Sequence, residues 1–255
     1  MSDRRGALAL SLERARKGLE TVAQPSSSVS LGVEEAYEVQ RELLKLRTAD
    51  GEKVVGYKMG LTSKAKMRQM GVDSPIMGFL TDGMRLDGSF SLGRAVQPRI
   101  EPEIAFLVGR EIAGPLPPRE ALSRCSAVCA ALEILDSRYR DFKFKLEDVI
   151  ADNGSGCAFA LGPWTKNPGF EALQGLAVTL KVDGLAAQQG LSDDIYGHPA
   201  QSLSALSALL ARRGLALPEG CVVLAGAATQ AISLRPGLYE GCVAGFAPAS
   251  VSVSA

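Results

Sequence analysis

The sequence predicts an α+β fold, with a helical segment at the N-terminus and a β-rich domain after it. Apolar residues recur at helical spacing through the first fifty residues. From residue 54 onward, short β-like runs are separated by Gly, Asp and Pro, and helical stretches interrupt them only occasionally. A doubly wound parallel sheet would require regular alternation of strands and helices. We therefore expect a helical segment over residues 1–53 and a β-rich domain over residues 54–255.

Two helices account for the N-terminal segment. Leu8 and Leu12 fall on one face of a helix over residues 6–22. The polar stretch QPSSSVS follows as a linker, and a second helix begins at Val33 and ends before an Ala-Asp-Gly stop. Further helical patterns occupy residues 63–71, 118–135 and 198–214.

Six runs in the remainder of the chain have the composition of β-strands. Each is apolar or alternating and is bounded by turn-forming residues. They are VVGYKMG at 54–60, GFLTDGMRL at 78–86, IEPEIAFLV at 100–108, LAVTLKVDG at 176–184, CVVLAG at 221–226 and ASVSVSA at 249–255. The sheet therefore forms most of the second domain.

Composition and charge exclude some partner classes. The 28 basic and 28 acidic residues cancel without a long run of either sign, which argues against nucleic acid and anionic membrane surfaces. No uncharged stretch reaches the roughly 18 residues that a membrane-spanning helix needs, and Glu13 and Arg14 interrupt the apolar start before a signal peptide could form. The odd number of cysteines, five, indicates reduced thiols. We expect a cytoplasmic protein that binds neither nucleic acid nor a membrane.

Familiar catalytic motifs are absent or incomplete. Neither GxGxxG nor GxxxxGK[ST] occurs, so the common phosphate-binding loops are missing. The stretch DNGSG differs from the nucleophile elbow GxSxG because Asn153 stands at the first glycine position. A serine triad would have to use His198, the only histidine, which precedes Pro199 at a predicted helix start and is typical of a capping or packing residue. The sequence therefore disfavours a serine nucleophile.

The stretch RIEPEIAF places two glutamates in a run that otherwise predicts a buried strand. In an extended strand, Glu101 and Glu103 point to one face while Ile100 points to the other. Two carboxylates on a buried face repel each other and resist ionisation unless a cation lies between them. Alternatively, Pro102 marks an edge strand whose glutamates face solvent. The spacing alone favours the metal site and the solvated edge about equally.

A third acid favours the metal site. Glu133 lies within the apolar run Ala-Leu-Glu-Ile-Leu, where an ionised carboxylate needs a partner. Three inward glutamates without a histidine ligand would form an all-oxygen site, which suits a hard divalent ion such as Mg2+ or Mn2+. Such a site can polarise a carbonyl group and hold a 2-oxo acid through two oxygens.

These residues lie in longer stretches that resemble the 2-keto-4-pentenoate hydratase and 4-oxalocrotonate decarboxylase branch of the fumarylacetoacetate hydrolase family. The resemblance covers most of the chain in the right order and is more specific than any single motif. It rests on AYEVQ (36–40), GYKMGLTSKAKMRQMGVDSPIMGFLTD (56–82), RIEPEIAF (99–106), LEILDSRYRDFKFKLEDVIADNGSG (132–156), GHPAQSLSALSALLARRG (197–214) and LAGAATQAISLRPG (224–237). The KMGLTSKAKMRQMGV and LDSRYRDFKF segments are closer to the decarboxylases.

The resemblance implies a mixed β-roll with an N-terminal helical segment, in which residues 54–255 form the catalytic domain. It also implies that Glu101, Glu103 and Glu133 hold Mg2+ or Mn2+. The lysine of the family's KxGLT segment falls on Lys58, where it would bind the substrate carboxylate or move protons. The family's aspartate after GxL falls on Asp82, a second expected catalytic residue.

The implied reaction is decarboxylation of 4-oxalocrotonate (2-oxohex-3-enedioate) to 2-oxopent-4-enoate and CO2, in meta-cleavage catabolism of aromatic compounds. Hydration of 2-hydroxypenta-2,4-dienoate is the alternative, because the same metal centre serves both reactions. A third alternative is a non-catalytic structural partner of such an enzyme, although retention of the three glutamates argues against it. Beyond Lys58, the expected substrate contacts are Arg138, Ser155 and Thr229. Lys143 and Lys145 are further candidate cations for the distal carboxylate, and a solvated surface charge is the alternative for Arg138 and for both lysines. The expected partners are a small 2-oxo acid, further copies of the chain in a homo-oligomer, and the companion hydratase or decarboxylase.

Three segments depart from the family pattern. Relatives commonly have Gly-Gly where this chain has Gly226 and Ala227, and GLGSVS where it has APASVS at 247–252. Alanine and proline resist backbone geometries that glycine permits. DNGSG stands where the decarboxylases usually have DNxSS, and this difference weakens the expectation that Ser155 contacts the substrate.

Overall fold

The computed structural model describes residues 2–63, 67–68 and 74–255. The helix predicted at 63–71 lies largely outside these residues. The described α-helices are α1 (Ser2–Gly18), α2 (Val33–Ala49), α3 (Pro118–Ser123), α4 (Leu146–Ala151) and α5 (Pro199–Ala211). α1 ends before the predicted boundary because Leu19 has a left-handed backbone with φ of 55°. None of the described helices combines the length and apolar character needed to cross a membrane.

The larger sheet contains eight strands. Its order is β2-β1-β10-β4-β5-β6, with β11 paired to β4 and β7 paired to β5. β1 runs parallel to β10, and the other pairs are antiparallel, so the sheet is mixed. Its strands are β1 (Val54–Gly60), β2 (Ile76–Thr81), β4 (Arg99–Val108), β5 (Cys125–Leu135), β6 (Gly156–Leu161), β7 (Thr165–Lys166), β10 (Val222–Ala227) and β11 (Ile232–Ser233).

The smaller sheet contains five strands and packs against one end of the larger one. Its order is β3-β13-β12-β8-β9. Ile100 and Leu132 of the larger sheet share a buried cluster with Tyr239 and Val251 of the smaller sheet. The strands are β3 (Ser89–Ser91), β8 (Ala177–Val182), β9 (Leu185–Leu191), β12 (Gly237–Val243) and β13 (Ala249–Ser254). The predicted α+β fold with a curled mixed sheet is confirmed.

The N-terminal helices cover part of the larger sheet. Leu12 of α1 and Val39 of α2 belong to the same buried cluster as Ile104 and Phe106 of β4. Hydrophobic burial therefore links the helical segment to the strands. The proposed boundary between residues 53 and 54 stays a prediction.

The helix predicted over residues 118–135 is wrong for most of its length. Only α3 is helical, and Cys125–Leu135 forms β5, the strand that carries Glu133. The run CSAVCAALEIL is almost entirely buried in the sheet. A strand that is buried on both faces lacks the alternation that distinguishes it from a buried helix.

Candidate metal centre

The central strand pair brings the three predicted glutamates together. β4 and β5 are antiparallel in a register that places Glu101 directly opposite Glu133, and Glu103 opposite Ala131. Residues two apart in a strand share a face, so all three carboxylates point to the same side. One oxygen of each carboxylate can be chosen so that all three lie within 4.8 Å of one another. The solvated-edge alternative for RIEPEIAF is therefore wrong.

All three glutamates are buried, with exposed fractions of 5% for Glu101, 0% for Glu103 and 1% for Glu133. Burial raises the pKa of Glu103 well above its ordinary value, and the charges of Glu133 and Glu101 raise it further. Burial also raises the pKa of Glu133, against the opposing charge of Lys58. The cluster concentrates negative charge where water does not stabilise it.

Lys58 supplies the one cation that the described residues place against this cluster. Its exposed fraction is 2%, and its Nζ lies 2.5 Å from Oε1 of Glu133. Nζ also donates a hydrogen bond to the carbonyl oxygen of Gly154, at 2.9 Å. The structure thus places Lys58 against Glu133, one of the three predicted metal ligands, and its catalytic role stays a prediction.

Gly226 contributes a backbone donor. Its N–H donates to Oε2 of Glu103 at 2.8 Å. Its φ is 103°, and a Cβ at this position would lie 2.2 Å from Oγ1 of Thr62. Glycine is therefore required at this position, whereas Ala227 pairs with Glu103 in the β10–β4 ladder and is simply buried. The Gly-Ala departure is compatible with the centre.

Two of the expected substrate contacts, Ser155 and Thr229, have side chains that form few hydrogen bonds with the described residues. Ser155 is buried, and its Oγ has no hydrogen-bond partner among the described residues. Thr229 is partly exposed in the loop that follows β10, and its hydroxyl donates to the carbonyl oxygen of Gln230 at 3.3 Å. Both remain candidates for substrate contact.

The structure places Asp82 away from the glutamates. Thr81, the last residue of β2 and the one before Asp82, pairs with Val54 of β1. Val54 is four residues from Lys58 along the strand, which separates the two by about 13 Å. The Asp82 carboxylate is exposed and accepts the backbone N–H groups of Lys53 and Gly83, each at 2.9 Å. These contacts stabilise a turn, so the geometry does not support the expected catalytic role.

In the described part of the chain, Arg138 forms an ion pair with Asp152 and not with the three glutamates. It is buried, its Nε is paired with Oδ1 of Asp152, and its Nη2 donates to the carbonyl oxygen of Asp152 at 2.7 Å. Burial opposes the charged form, but the charge of Asp152 raises the pKa of Arg138 overall. The predicted contact with a distal substrate carboxylate is not supported, because this guanidinium already holds a buried ion pair.

The donor set fits a hard divalent cation. Oε1 of Glu103 and Oε2 of Glu133 have no hydrogen-bond partner in the described part of the chain. Burial raises the pKa of Glu103 and Glu133, and a divalent ion bound among the carboxylates would favour their charged forms. All the available donors are oxygens, the ligands preferred by Mg2+, Mn2+ and Ca2+.

Fold and site together define a β-roll protein with a buried carboxylate centre suited to a divalent cation. The chain belongs to the fumarylacetoacetate hydrolase family: the model of the fumarylacetoacetate (FAA) hydrolase C-terminal region matches residues 76–239.

Relatives with assigned activities fall into two groups. A 4-oxalocrotonate decarboxylase from Pseudomonas sp. is 44% identical over 237 residues, which cover 92% of each chain. A 2-hydroxyhexa-2,4-dienoate hydratase from Comamonas testosteroni is 38% identical over 76% of this chain and 75% of the relative. The fold also matches 4-oxalocrotonate decarboxylase from Pseudomonas putida G7, complexed with magnesium and adipate. That match has a TM-score of 0.95 and 32% identity, and it covers 100% of this chain and 98% of the other.

Sequence reasoning missed three contributors to the centre. They are the Gly226 N–H, the Thr62 side chain that packs on it, and Asn153, whose turn presents the Gly154 carbonyl to Lys58. Asn153 was considered only as a departure from the nucleophile elbow. A glycine at the end of an apolar strand is a weak signal of a bulge, and the other two depend on tertiary contacts.

Proposed function

We propose that this protein is a lyase that decarboxylates 4-oxalocrotonate to 2-oxopent-4-enoate and CO2. Glu101, Glu103 and Glu133 are the proposed ligands of Mg2+ or Mn2+. The observation that carries the proposal is the buried carboxylate cluster, in which Oε1 of Glu103 and Oε2 of Glu133 have no hydrogen-bond partner among the described residues. The similarity to the Pseudomonas decarboxylases supports the choice of substrate.

The bond changes require an electron acceptor and a proton donor. When C5–C6 breaks and CO2 leaves, its electron pair forms the C4–C5 double bond, and the former C3–C4 pair moves to C3, next to the 2-oxo group. A divalent ion held by the glutamates supplies the Lewis acidity that makes this oxo group a good acceptor. Donation of a proton to C3 then gives 2-oxopent-4-enoate.

Lys58 is the proposed proton donor. Its ammonium group is held by Glu133 and the Gly154 carbonyl, so it has a fixed position inside the centre. A proton donor held in place contributes a factor of roughly 10² to 10⁴ to a rate. Burial of Lys58 and the glutamates also excludes bulk water from this step. The unpartnered Ser155 hydroxyl is the proposed polar contact for the substrate.

Hydration of 2-hydroxypenta-2,4-dienoate is the second candidate. It is favoured by hydratase relatives, among them a 2-hydroxypent-2,4-dienoate hydratase from Pseudomonas putida that is 33% identical. Both reactions use a 2-oxo or 2-enol acid with the same carboxylate centre, so the glutamates do not discriminate between them. The third candidate, a structural partner without activity, conflicts with retention of all three glutamates and Lys58.

Purified protein incubated with Mg2+ and each substrate separates these candidates. Release of CO2 from 4-oxalocrotonate without addition of water supports the decarboxylase. Formation of 4-hydroxy-2-oxopentanoate from 2-hydroxypenta-2,4-dienoate supports the hydratase. If neither rate exceeds background, and the Glu101→Gln variant gives the same rates as the parent, the structural role is the better account.

A homo-oligomer, and a complex with the companion enzyme, are also proposed. β9 is an edge strand of the smaller sheet, and Leu185 in it has an exposed fraction of 76%. Exposed leucine on an unpaired edge is typical of an interaction surface. Light scattering of the purified chain and of Leu185→Lys tests this assignment, and a monomeric parent would exclude the homo-oligomer. The cytoplasmic location stays a prediction.

A further inference from the structure

The Lys58 side chain lies in a narrow passage, which we call the lysine sleeve, defined by Gly78, Gly154 and Gly156. The glycines meet the lysine at successive positions. A Cβ on Gly78 would lie 3.1 Å from Cγ of Lys58, one on Gly156 would lie 3.3 Å from Cδ, and one on Gly154 would lie 3.4 Å from Nζ. Each glycine therefore leaves only the space that the lysine occupies.

A short turn closes the end of the sleeve. Asn153, Gly154 and Ser155 all have positive φ, at 52°, 59° and 57°. Three consecutive left-handed residues are unusual and persist only where the surroundings hold them. This conformation presents the Gly154 carbonyl oxygen to Nζ of Lys58.

Asn153 attaches this turn to the sheet. Its Oδ1 accepts from the N–H of Phe79 at 2.8 Å, and its Nδ2 donates to the Phe79 carbonyl oxygen at 3.0 Å. Phe79 lies in β2, next to Gly78, where a Cβ would lie 2.9 Å from both the backbone oxygen and Oδ1 of Asn153. The turn thus approaches β2 as closely as a glycine allows.

We propose that Gly78, Gly154, Gly156 and Asn153 are positioning residues that fix the Lys58 ammonium between Glu133 and the Gly154 carbonyl. Lysine has four rotatable side-chain bonds, and its free ammonium would sample many positions. The sleeve removes that freedom, so the proton donor is in place before substrate binds. This inference rests on the proposed function of Lys58.

Gly156→Ala is the sharpest test. Gly156 has an ordinary φ of −61°, so alanine brings no backbone strain there. The new Cβ would lie 3.3 Å from Cδ of Lys58, Cε of Met84 and the Asn153 carbonyl oxygen, so these neighbours must give by a few tenths of an ångström. We expect kcat to fall about tenfold or more, with KM changed less than twofold, because small misplacements of a reacting group are costly. A crystal structure of the variant should show Nζ displaced from Glu133.

The matched control is Gly6→Ala, whose Cβ would have no heavy atom within 4 Å. It should leave kcat unchanged. Lys58→Met and the Lys58→Met/Gly156→Ala double variant complete a cycle. If Gly156 acts through Lys58, the alanine lowers the residual kcat of Lys58→Met by less than twofold. Equal losses in the two backgrounds would overturn the proposal.

Asn153→Asp provides a second variant in case Gly156→Ala does not fold. It keeps the shape of the side chain and the acceptor for Phe79 N–H but loses the donor to the Phe79 carbonyl. We expect a fall in kcat with Mn2+ affinity changed less than threefold. A folded variant with full kcat would overturn the proposal. If the parent protein itself is inactive on both substrates, the proposed function fails, and the crystal structure of Gly156→Ala still decides whether the sleeve fixes Lys58.

Discussion

The molecule contains one buried and one partly buried cluster of charged side chains, which differ in how their charges are satisfied. The acid cluster consists of Lys58, Glu101, Glu103 and Glu133. The arginine cluster consists of Glu13, Arg16, Arg47, Glu52, Arg138 and Asp152. Among the described residues, an arginine pairs with each acid of the arginine cluster, whereas the acid cluster brings three carboxylates together beside Lys58. Burial alone therefore does not distinguish a functional site from a structural one.

Hydrogen bonding shows the same difference. In the arginine cluster, Arg16 donates to Glu13 at 3.0 Å, and Arg138 donates to the side chain and the backbone of Asp152. In the acid cluster, carboxylate oxygens of Glu103 and Glu133 have no hydrogen-bond partner in the described residues. Nε of Arg47 in the arginine cluster also lacks a hydrogen bond among the described residues, but it lies 3.4 Å from Oε2 of Glu13, an opposite charge. The unsatisfied oxygens of the acid cluster lie beside other carboxylates, which marks them as the position where a cation would bind. Four experiments test this distinction.

The largest expected effect is on metal binding by the acid cluster. Glu103→Gln removes a proposed ligand, and we expect Mn2+ affinity and kcat/KM to fall by at least the roughly 100-fold that loss of an outer-shell partner can cause. Metal-free protein should melt at an equal or higher temperature, because a buried like charge has been removed. Calorimetric titration and thermal melting provide the measurements. Glu111→Gln, at an exposed position, is the control, and unchanged Mn2+ affinity in Glu103→Gln would refute the metal assignment.

The arginine cluster should respond in the opposite way. Arg138→Met leaves Asp152 buried without its cation, and breaking such a pair costs about 3–5 kcal/mol of unfolding free energy. Denaturant unfolding should show this loss, while Mn2+ affinity of the folded fraction stays within about twofold of the parent. Arg138→Met combined with Asp152→Leu should recover most of the stability, because neither charge remains. Stronger damage to metal binding than to stability would show that Arg138 belongs to the active centre.

Acid unfolding tests a weaker contribution from the same cluster. Burial raises the pKa of Glu13, but hydrogen bonds and charge from Arg16, with Arg47 and Lys17, lower it below 4.5 overall. Its contribution is therefore fully present above pH 4.5 and is lost as pH falls through the lowered folded-state pKa. Glu13→Gln should be less stable than the parent at pH 7, and the difference should narrow below pH 4.5. A gap independent of pH would contradict this account, and Glu42→Gln, which removes a surface pair with Lys45, is the control.

Strand periodicity predicted the acid cluster better than the fold around it. Alternation placed Glu101 and Glu103 on one face, and an isolated charge in an apolar run identified Glu133. The register that aligns Glu101 with Glu133 was not predictable, because residues 118–135 had the composition of a helix. Local polarity therefore predicts the clustering of the three glutamates, and the wrong secondary structure follows from an apolar run without alternation.

Charged residues in polar segments were harder to assign. Family resemblance implies a site role for Asp82, and substrate chemistry suggests one for Arg138, yet Asp82 binds backbone N–H groups and Arg138 a buried aspartate. Their partners, Lys53 and Asp152, follow from how the strands and turns pack. Local sequence contains no signal that separates a cation reserved for substrate from one already paired.

The smallest expected effect is on the reactivity of the Cys157 thiol, which depends on the net charge of the arginine cluster. The Cys157 side chain lines a cavity of about 90 Å³ with Arg16, Arg47 and Arg138. Burial, followed by the charge of Asp136, raises its pKa to about 11 despite those arginines. At pH 8 about one molecule in a thousand would carry the thiolate, against about a quarter for an exposed thiol of pKa about 8.5, so alkylation by iodoacetamide should be slower by a factor of roughly 200. Mass spectrometry of the alkylated protein measures the rate, with denatured protein as the control. Rapid labelling of folded protein would reveal unbalanced positive charge and remove the distinction between the two clusters.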